Sequence, residues 1–225
     1  MKKAYNVLII DDHQIIIDTY KNALNVVKEN LDAVEFNIHE AKDCDSAYEK
    51  ILNITKRQTL DLIFLDIQLP PSSDKRFISG ETLGSNIREQ YPKTKIIVCT
   101  SINNNLIQSN IIKTINPQGF LIKSDISFND LVLCTKKILS NQIHYSQTIL
   151  ELLRKKVSSP IVLDGFDIKI LAEMANGARM KELVMLIPLS KSGIEKRKKL
   201  LKTFFNIKSD SDRELVLCAK EKGFI

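Results

Sequence analysis

Four short apolar runs, far apart in the chain, each end directly on polar residues. Asp11 and Asp12 follow Val7-Leu8-Ile9-Ile10, Asp66 follows Leu62-Ile63-Phe64-Leu65, Thr100 follows Ile96-Ile97-Val98-Cys99, and Lys123 follows Gly119-Phe120-Leu121-Ile122. A single Asp behind a strand is more often a helix cap than a ligand. Capping does not account for four such ends together. Three carboxylates brought into one crevice repel one another unless a cation stands among them. Hard oxygen ligands with room for water and phosphate favour Mg²⁺. Lys123 offers a mobile ammonium to a phosphate oxygen, and the Thr100 hydroxyl can donate to another. The chemistry implied is phosphoryl transfer to a carboxylate nucleophile, with Asp66 as acceptor. No glycine-rich phosphate cradle is present, so a nucleotide is not the implied donor.

The elements that must position these residues follow from periodicity. Ile16, Tyr20, Ala23, Leu24 and Val27 recur at helical spacing, and Val34, Phe36 and Ile38 alternate as a strand. Further helices are marked by Ala47 to Leu52, by Leu83 to Tyr91 ahead of Pro92, by Leu106 to Ile112, and by Leu131, Cys134 and Ile138. Five strands alternating with five helices predict a flavodoxin-like (βα)5, doubly wound parallel sheet over residues 1–139. Right-handed crossovers then place every strand C-terminus, and so all the polar residues above, on one edge.

The back of the chain reads differently. Residues 1–139 carry 17 Lys and Arg against 17 Asp and Glu, whereas residues 160–225 carry 13 against 9. A neutral front and a basic back imply two tasks, with a polyanion partner at the C-terminal end. Residues 140–160 predict a linker with a short helix around Ile149, Leu152 and Leu153, then a tether at Ser158-Ser159-Pro160. Residues 161–225 predict a small all-α domain. Asp164 caps one helix, stopped at Gly177; a second carries Met180 to Ile187; a third, capped by Ser190, runs from Lys191 to Phe204; a fourth precedes Gly223. The third is basic, with Lys191, Lys196, Arg197, Lys198, Lys199 and Lys202 against Glu195 alone over residues 190–203. Its apolar face holds Ile194, Leu201 and Phe205; the opposite face holds Ser192, Lys196, Lys199 and Thr203, flanked by Glu195 and Lys202. A short helix, a tight turn and a basic helix is the geometry that enters a DNA major groove. Lysine-rich helices also serve RNA-binding and protein-interaction modules, so that alternative stands beside DNA.

Composition narrows the class. The chain of 225 residues is 44% hydrophobic with few Gly and Pro, which is a globular composition. No apolar run approaches a membrane span, and the start holds no signal-peptide core, so a cytoplasmic protein is expected. Cys44, Cys99, Cys134 and Cys218 lack CxxC spacing and read as reduced thiols. His13, beside the acidic pair, reads as a loop residue near the pocket.

On Asp11-Asp12, Asp66, Thr100 and the Gly119-to-Lys123 run, residues 1–139 resemble a response-regulator receiver domain of a two-component system. That resemblance implies that a sensor histidine kinase passes its phosphoryl group to Asp66. It implies Mg²⁺ on Asp12, Asp66 and the backbone carbonyl of Gln68, with Asp11 helping, often through water. It makes Thr100 and Lys123 the phosphate-holding switch residues and Phe120 the aromatic that turns inward on activation, where the family often has Tyr. The loop Pro71 to Gly80 is longer than usual, and reads either as a tolerated insertion or as a lid over Asp66. Residues 161–225 resemble a LuxR-type output domain through Gly177, Lys181-Glu182-Leu183-Val184, Leu189-Ser190 and Ile194. There Glu195, Lys196 and Lys199, with Ser192 on the same face, would meet bases, and Lys181, Arg197 and Lys198 would lie nearer phosphates of double-stranded DNA. Gly193 replaces the usual Thr or Ser, and Asp167 the usual Glu. The expected whole is a non-enzymatic, phosphorylation-controlled transcription regulator that forms a homodimer when phosphorylated or frees its DNA-binding domain.

Overall fold

The computed structural model describes residues 3–31, 34–158 and 163–225. Six parallel strands form one sheet in the order β2-β1-β3-β4-β5-β6. They are β1 (Lys3–Ile10), β2 (Val34–Ala41), β3 (Leu62–Leu65), β4 (Lys95–Thr100), β5 (Gly119–Ile122) and β6 (His144–Tyr145). The crossovers are α1 (Gln14–Asn30), α2 (Cys44–Thr55), α3 (Gly80–Gln90), α4 (Asn105–Thr114) and α5 (Phe128–Leu139). The flavodoxin-like reading is thus observed. The sixth strand is an addition: two residues are too short to show a period, and β6 exists by pairing Gly119 with His144 and Phe120 with Tyr145.

Alternation along the strands explains the two covered faces. Val7, Ile9, Leu62, Phe64, Ile97, Cys99 and Leu121 pack with Ile17, Tyr20, Leu24 and Val27 of α1 and Leu131, Cys134 and Ile138 of α5. The intervening residues Leu8, Ile10, Ile63, Leu65, Ile96 and Val98 are equally buried. Over that second face Gly84 of α3 lies so close to Leu65 and Ile115 that an added Cβ would stand 2.7 and 2.6 Å from their side-chain atoms. At the sheet end away from the polar residues, Arg88 of α3 has no carboxylate partner among the described residues. Its guanidinium donates to the carbonyls of Ile115 (2.7 Å), Pro92 (2.8 Å), Thr94 (3.0 Å) and Asn116 (3.4 Å) and to Oε1 of Gln118 (3.1 Å).

The chain divides into two compact units, the first comprising Met1–Asn103 and Ile107–Leu150 and the second Asn104–Leu106 and Glu151–Ile225. The first therefore takes in β6 and the start of α6 (Gln147–Ser158), which the sequence assigns to a linker beginning at 140. The tether at Ser159-Pro160, and with it the expected boundary at 160, lies outside the described residues. The second unit is helical: α7 (Gly165–Ala175), α8 (Met180–Leu186), α9 (Lys191–Phe204) and α10 (Asp212–Glu221). Asp164 caps α7 by accepting from Asp167 N, and Ser190 caps α9 by accepting from Gly193 N. Gly177 adopts φ +91° behind α7, a conformation that glycine takes without strain. Leu171, Leu201, Phe205, Leu215 and Ala219 form one core, and Ile170, Leu183, Ile187 and Ile194 a second under the α8–α9 turn. Among the described residues no helix is long and apolar enough to cross a membrane.

Candidate phosphoacceptor pocket and basic helix

Register brings the polar strand ends together. Ile10 lies beside Leu65, and Leu65 beside Val98, so Asp11 and Asp66 emerge side by side from β1 and β3. Asp66 N donates to Ile10 O at 2.9 Å, and Lys123 N to Thr100 O at 2.8 Å. Asp11, Asp66 and Thr100 are buried, and Asp12 is exposed. Lys123 Nζ stands 2.7 Å from Asp11 Oδ2 and 2.6 Å from Asp66 Oδ2. Burial opposes its charge, but the hydrogen bonds and ion pairs with Asp11 and Asp66 outweigh that and raise its pKa above the usual lysine value. The other Asp66 oxygen, Oδ1, accepts from Gln68 N at 3.0 Å.

Thr100 and Phe120 are placed as follows. Thr100 Oγ1 accepts from Ile102 N at 3.2 Å, at the start of the segment leading to α4. Phe120 is fully buried, with its ring edge-on to Tyr145 at 6.5 Å between centroids. Beneath the pocket Tyr20 stacks on Phe64 at 5.0 Å. Burial pushes the neighbouring Cys99 thiol up to about 12, which removes it from thiolate chemistry at neutral pH. All four cysteines are free, and only Cys218 is partly exposed.

Three carboxylates against one ammonium leave this edge negative by two charges, and their oxygens are hard donors. The set fits a divalent cation. Asp11, Asp12 and His13 already hold one potential ligand atom each within 4.8 Å of one another.

The long loop is tied down. Ser72 N donates to Phe77 O at 2.7 Å, and Ser72 Oγ both accepts from Phe77 N and donates to Asp74. Ser73 N and Oγ donate to Asp45 on α2 at 2.8 and 2.7 Å. Phe77 is buried against Tyr48, with Arg76 over the same ring. Gly80 then seats on the backbone of Asp66: a Cβ there would lie 1.9 Å from Asp66 O. Side-chain-to-backbone stitches of this kind leave no periodic trace, which is why sequence reading sees only a polar stretch.

In the second unit α9 divides its charges. Ser192, Glu195, Lys196, Lys199 and Thr203 are exposed, as is Lys181 on α8. Arg197 instead pairs with Asp164 (2.7 Å) and Asp167 (2.8 Å) and lies over Phe166. Lys198 pairs with Asp212, and Lys202 reaches Asp212 and Asp210. These partners lie up to 33 residues away, so the helical spacing of α9 alone does not reveal that Arg197 and Lys198 are engaged inside the domain.

Residues 7–133 match the family model of the response regulator receiver domain. The oxygen regulatory protein NreC of Staphylococcus epidermidis is 24% identical, with 97% of this chain and 98% of that protein aligned. RcsB of Salmonella enterica serovar Typhimurium, solved bound to a promoter in the presence of the phosphomimetic BeF3⁻, superposes with a TM-score of 0.62 at 21% identity, covering 95% of this chain and 97% of that one. A structure described as two RcsB dimers bound to two parallel DNAs gives 0.61 at 20% identity, covering 97% and 98%. At these identities the structural likeness speaks for the fold of both units.

Proposed function

Since the chain belongs to the response-regulator receiver family, we propose that it is a phosphorylation-controlled, DNA-binding transcription regulator, with Asp66 as its phosphoacceptor. The observation that carries the reading is Lys123 held between Asp11 and Asp66 at the sheet edge. A phosphoacceptor must be fixed in place yet reachable, and its new charge must meet a waiting cation.

A carboxylate oxygen of Asp66 attacks the phosphorus of a phospho-histidine on a sensor kinase; the P–N bond breaks, a P–O bond forms, and the imidazole leaves and takes a proton. Asp12, Asp66 and the Gln68 carbonyl would hold Mg²⁺, with Asp11 behind them. Mg²⁺ supplies charge neutralisation at the phosphoryl oxygens. Lys123 then exchanges a carboxylate for a phosphate oxygen, and the Thr100 hydroxyl donates to another. Loss of the Lys123–Asp11 bond and movement of Thr100 reach Phe120 through β4 and β5, which are paired. The domain catalyses only its own phosphorylation and dephosphorylation.

Output falls to α9. Ser192, Glu195, Lys196 and Lys199 present the exposed face to base edges, and Lys181 reaches a phosphate. Arg197 and Lys198 contribute by holding α9 in place. The NreC relative is described as a regulatory protein, and RcsB is described on DNA and as dimers there. The same mode here means a phosphorylated homodimer on paired half-sites, working in the cytoplasm.

The test has two arms. Wild type with a small phosphodonor and Mg²⁺ gains acid-labile phosphate; Asp66→Ala does not, and persistent labelling of that variant overturns the assignment. Phosphorylated wild type binds its own promoter fragment above nonspecific affinity, and Lys196→Ala with Lys199→Ala removes the preference. Binding that never exceeds the nonspecific level transfers the output domain to RNA or protein recognition.

A further inference from the structure

Burying a carboxamide costs free energy unless both of its ends are bonded. Gln108 on α4 is completely buried, yet only one end of its amide is bonded. Its Nε2 donates to the carbonyl of Ile102 at 3.0 Å. A carbonyl only accepts, so the nitrogen must face it and the oxygen is left over. Among the described residues, Gln108 Oε1 is the one buried side-chain polar atom without a hydrogen-bond partner. Ile102 lies between the end of β4 and the start of α4, and its N–H is held by the Thr100 hydroxyl. One residue is therefore clasped by Thr100 at its N–H and by Gln108 at its carbonyl. At 3.2 Å the Thr100 clasp is at the long end of its class.

We infer that Gln108 is a positioning residue for the response to phosphorylation: its idle oxygen takes the Ile102 N–H when Thr100 turns to the phosphate. This rests on the reading of Asp66 as phosphoacceptor and of Thr100 as a donor to its phosphate. Drawing Thr100 toward Asp66 parts the long bond and leaves the Ile102 N–H without an acceptor. A carboxamide carries a donor and an acceptor side by side, so Gln108 can hold both backbone groups of Ile102 at once. Two unmet groups then become one bond. An unmet buried donor opposes the movement of Thr100, and Gln108 removes that opposition. An apolar residue at 108 would give the Ile102 N–H no second acceptor. The form with phosphate is thereby favoured by the cost that Oε1 imposes on the form without it.

The test uses the full chain with Mg²⁺ and BeF3⁻, read by NMR hydrogen exchange at the Ile102 amide and by calorimetry. In wild type that amide stays protected with and without BeF3⁻, because one acceptor replaces the other. Gln108→Met keeps length and burial and removes both polar atoms. Its Ile102 amide is protected without BeF3⁻, where Thr100 still holds it, and exchanges faster once BeF3⁻ is added. Its BeF3⁻ affinity falls roughly 10-fold, about the most that one neutral hydrogen bond contributes, and its Mg²⁺ affinity is unchanged. A merely structural role would weaken Ile102 protection equally in both forms, and that result overturns the inference. Equal BeF3⁻ affinity in the two proteins overturns it too. So does loss of Ile102 protection in wild type on adding BeF3⁻, a result that needs no variant. If wild type takes up BeF3⁻ and any of these follows, only the Gln108 assignment falls; if wild type takes up none, the phosphoacceptor reading falls and this inference with it.

Discussion

At the sheet edge Lys123 is shared by two buried carboxylates, whereas on α9 Lys196 and Lys199 stand in solvent while Arg197, Lys198 and Lys202 turn to the acids of α7 and α10. Both regions are rich in charge, but they use it differently. Charges out of water stabilise only through one another, so each holds the others in place and removing one exposes the rest to a large penalty. Charges in water cost the fold almost nothing and stay available to a partner. The pocket charges are fixed by one another; the helix commits half its cations to the fold and leaves the other half at its surface.

That contrast can be broken at its strongest point first. Lys123→Ala leaves Asp11 and Asp66 facing each other, and should destabilise the first unit by about 3 kcal/mol in urea unfolding, with part of the loss recovered by added Mg²⁺. A loss below half of that would mean that the pocket charges are solvated as freely as those on α9. Gly80→Ala comes next. Its Cβ meets the Asp66 carbonyl rather than a flexible side chain, so about 2 kcal/mol of stability should go, together with the rate of phosphodonor labelling.

On the helical side the effects shrink. Arg197→Ala removes two ion pairs and a ring contact, all partly exposed, and should cost the second unit about 1 kcal/mol. Lys196→Ala and Lys199→Ala should leave unfolding within about 0.5 kcal/mol of wild type. Lys181→Ala, at the residue proposed to reach a phosphate, should lower the salt dependence of DNA binding by about one unit of slope in fluorescence anisotropy.

Acid sharpens the comparison from another direction. Asp164 is held below the usual carboxylate range, first by the Asp167 N–H and then by Arg197. Asp212 is also lowered: burial opposes its charge, but the bonds from Lys198 and Lys202 outweigh it. A depressed folded pKa stabilises above the unfolded value, about 3.9, and that contribution is lost as pH falls through the folded pKa. Helix loss followed by circular dichroism from pH 7 to 2 should therefore include a step below about pH 4. Arg197→Ala should shrink the Asp164 share of it.

Much of this was readable in advance because it depends on local rules. Four strands follow from unbroken apolar runs and β2 from alternation, and the pocket follows once those strands are parallel, since Asp11, Asp66, Thr100 and Lys123 can then only share one edge. Asp164 and Ser190 cap where helix-start chemistry puts them. What escaped depends on contacts between distant residues. His144 and Tyr145 form a strand only because Gly119 and Phe120 offer a free edge. The Pro71-to-Gly80 loop is held to α2 by Asp45 and Tyr48, which its polar composition does not foretell. Arg197 and Lys198 belong to α9 by spacing but to α7 and α10 by bonding.

Arg88 gives the first unit a mechanical asymmetry. It grips the carbonyls of Ile115 and Asn116, immediately behind α4, and does so through neutral dipoles rather than a carboxylate. Such a grip is indifferent to salt and to a new negative charge at Asp66. The other end of α4 follows the segment after Thr100, whose Oγ1 accepts from Ile102 N. Arg88 therefore anchors the end of α4 that lies farthest from the carboxylates, through contacts that carry no partner charge of their own.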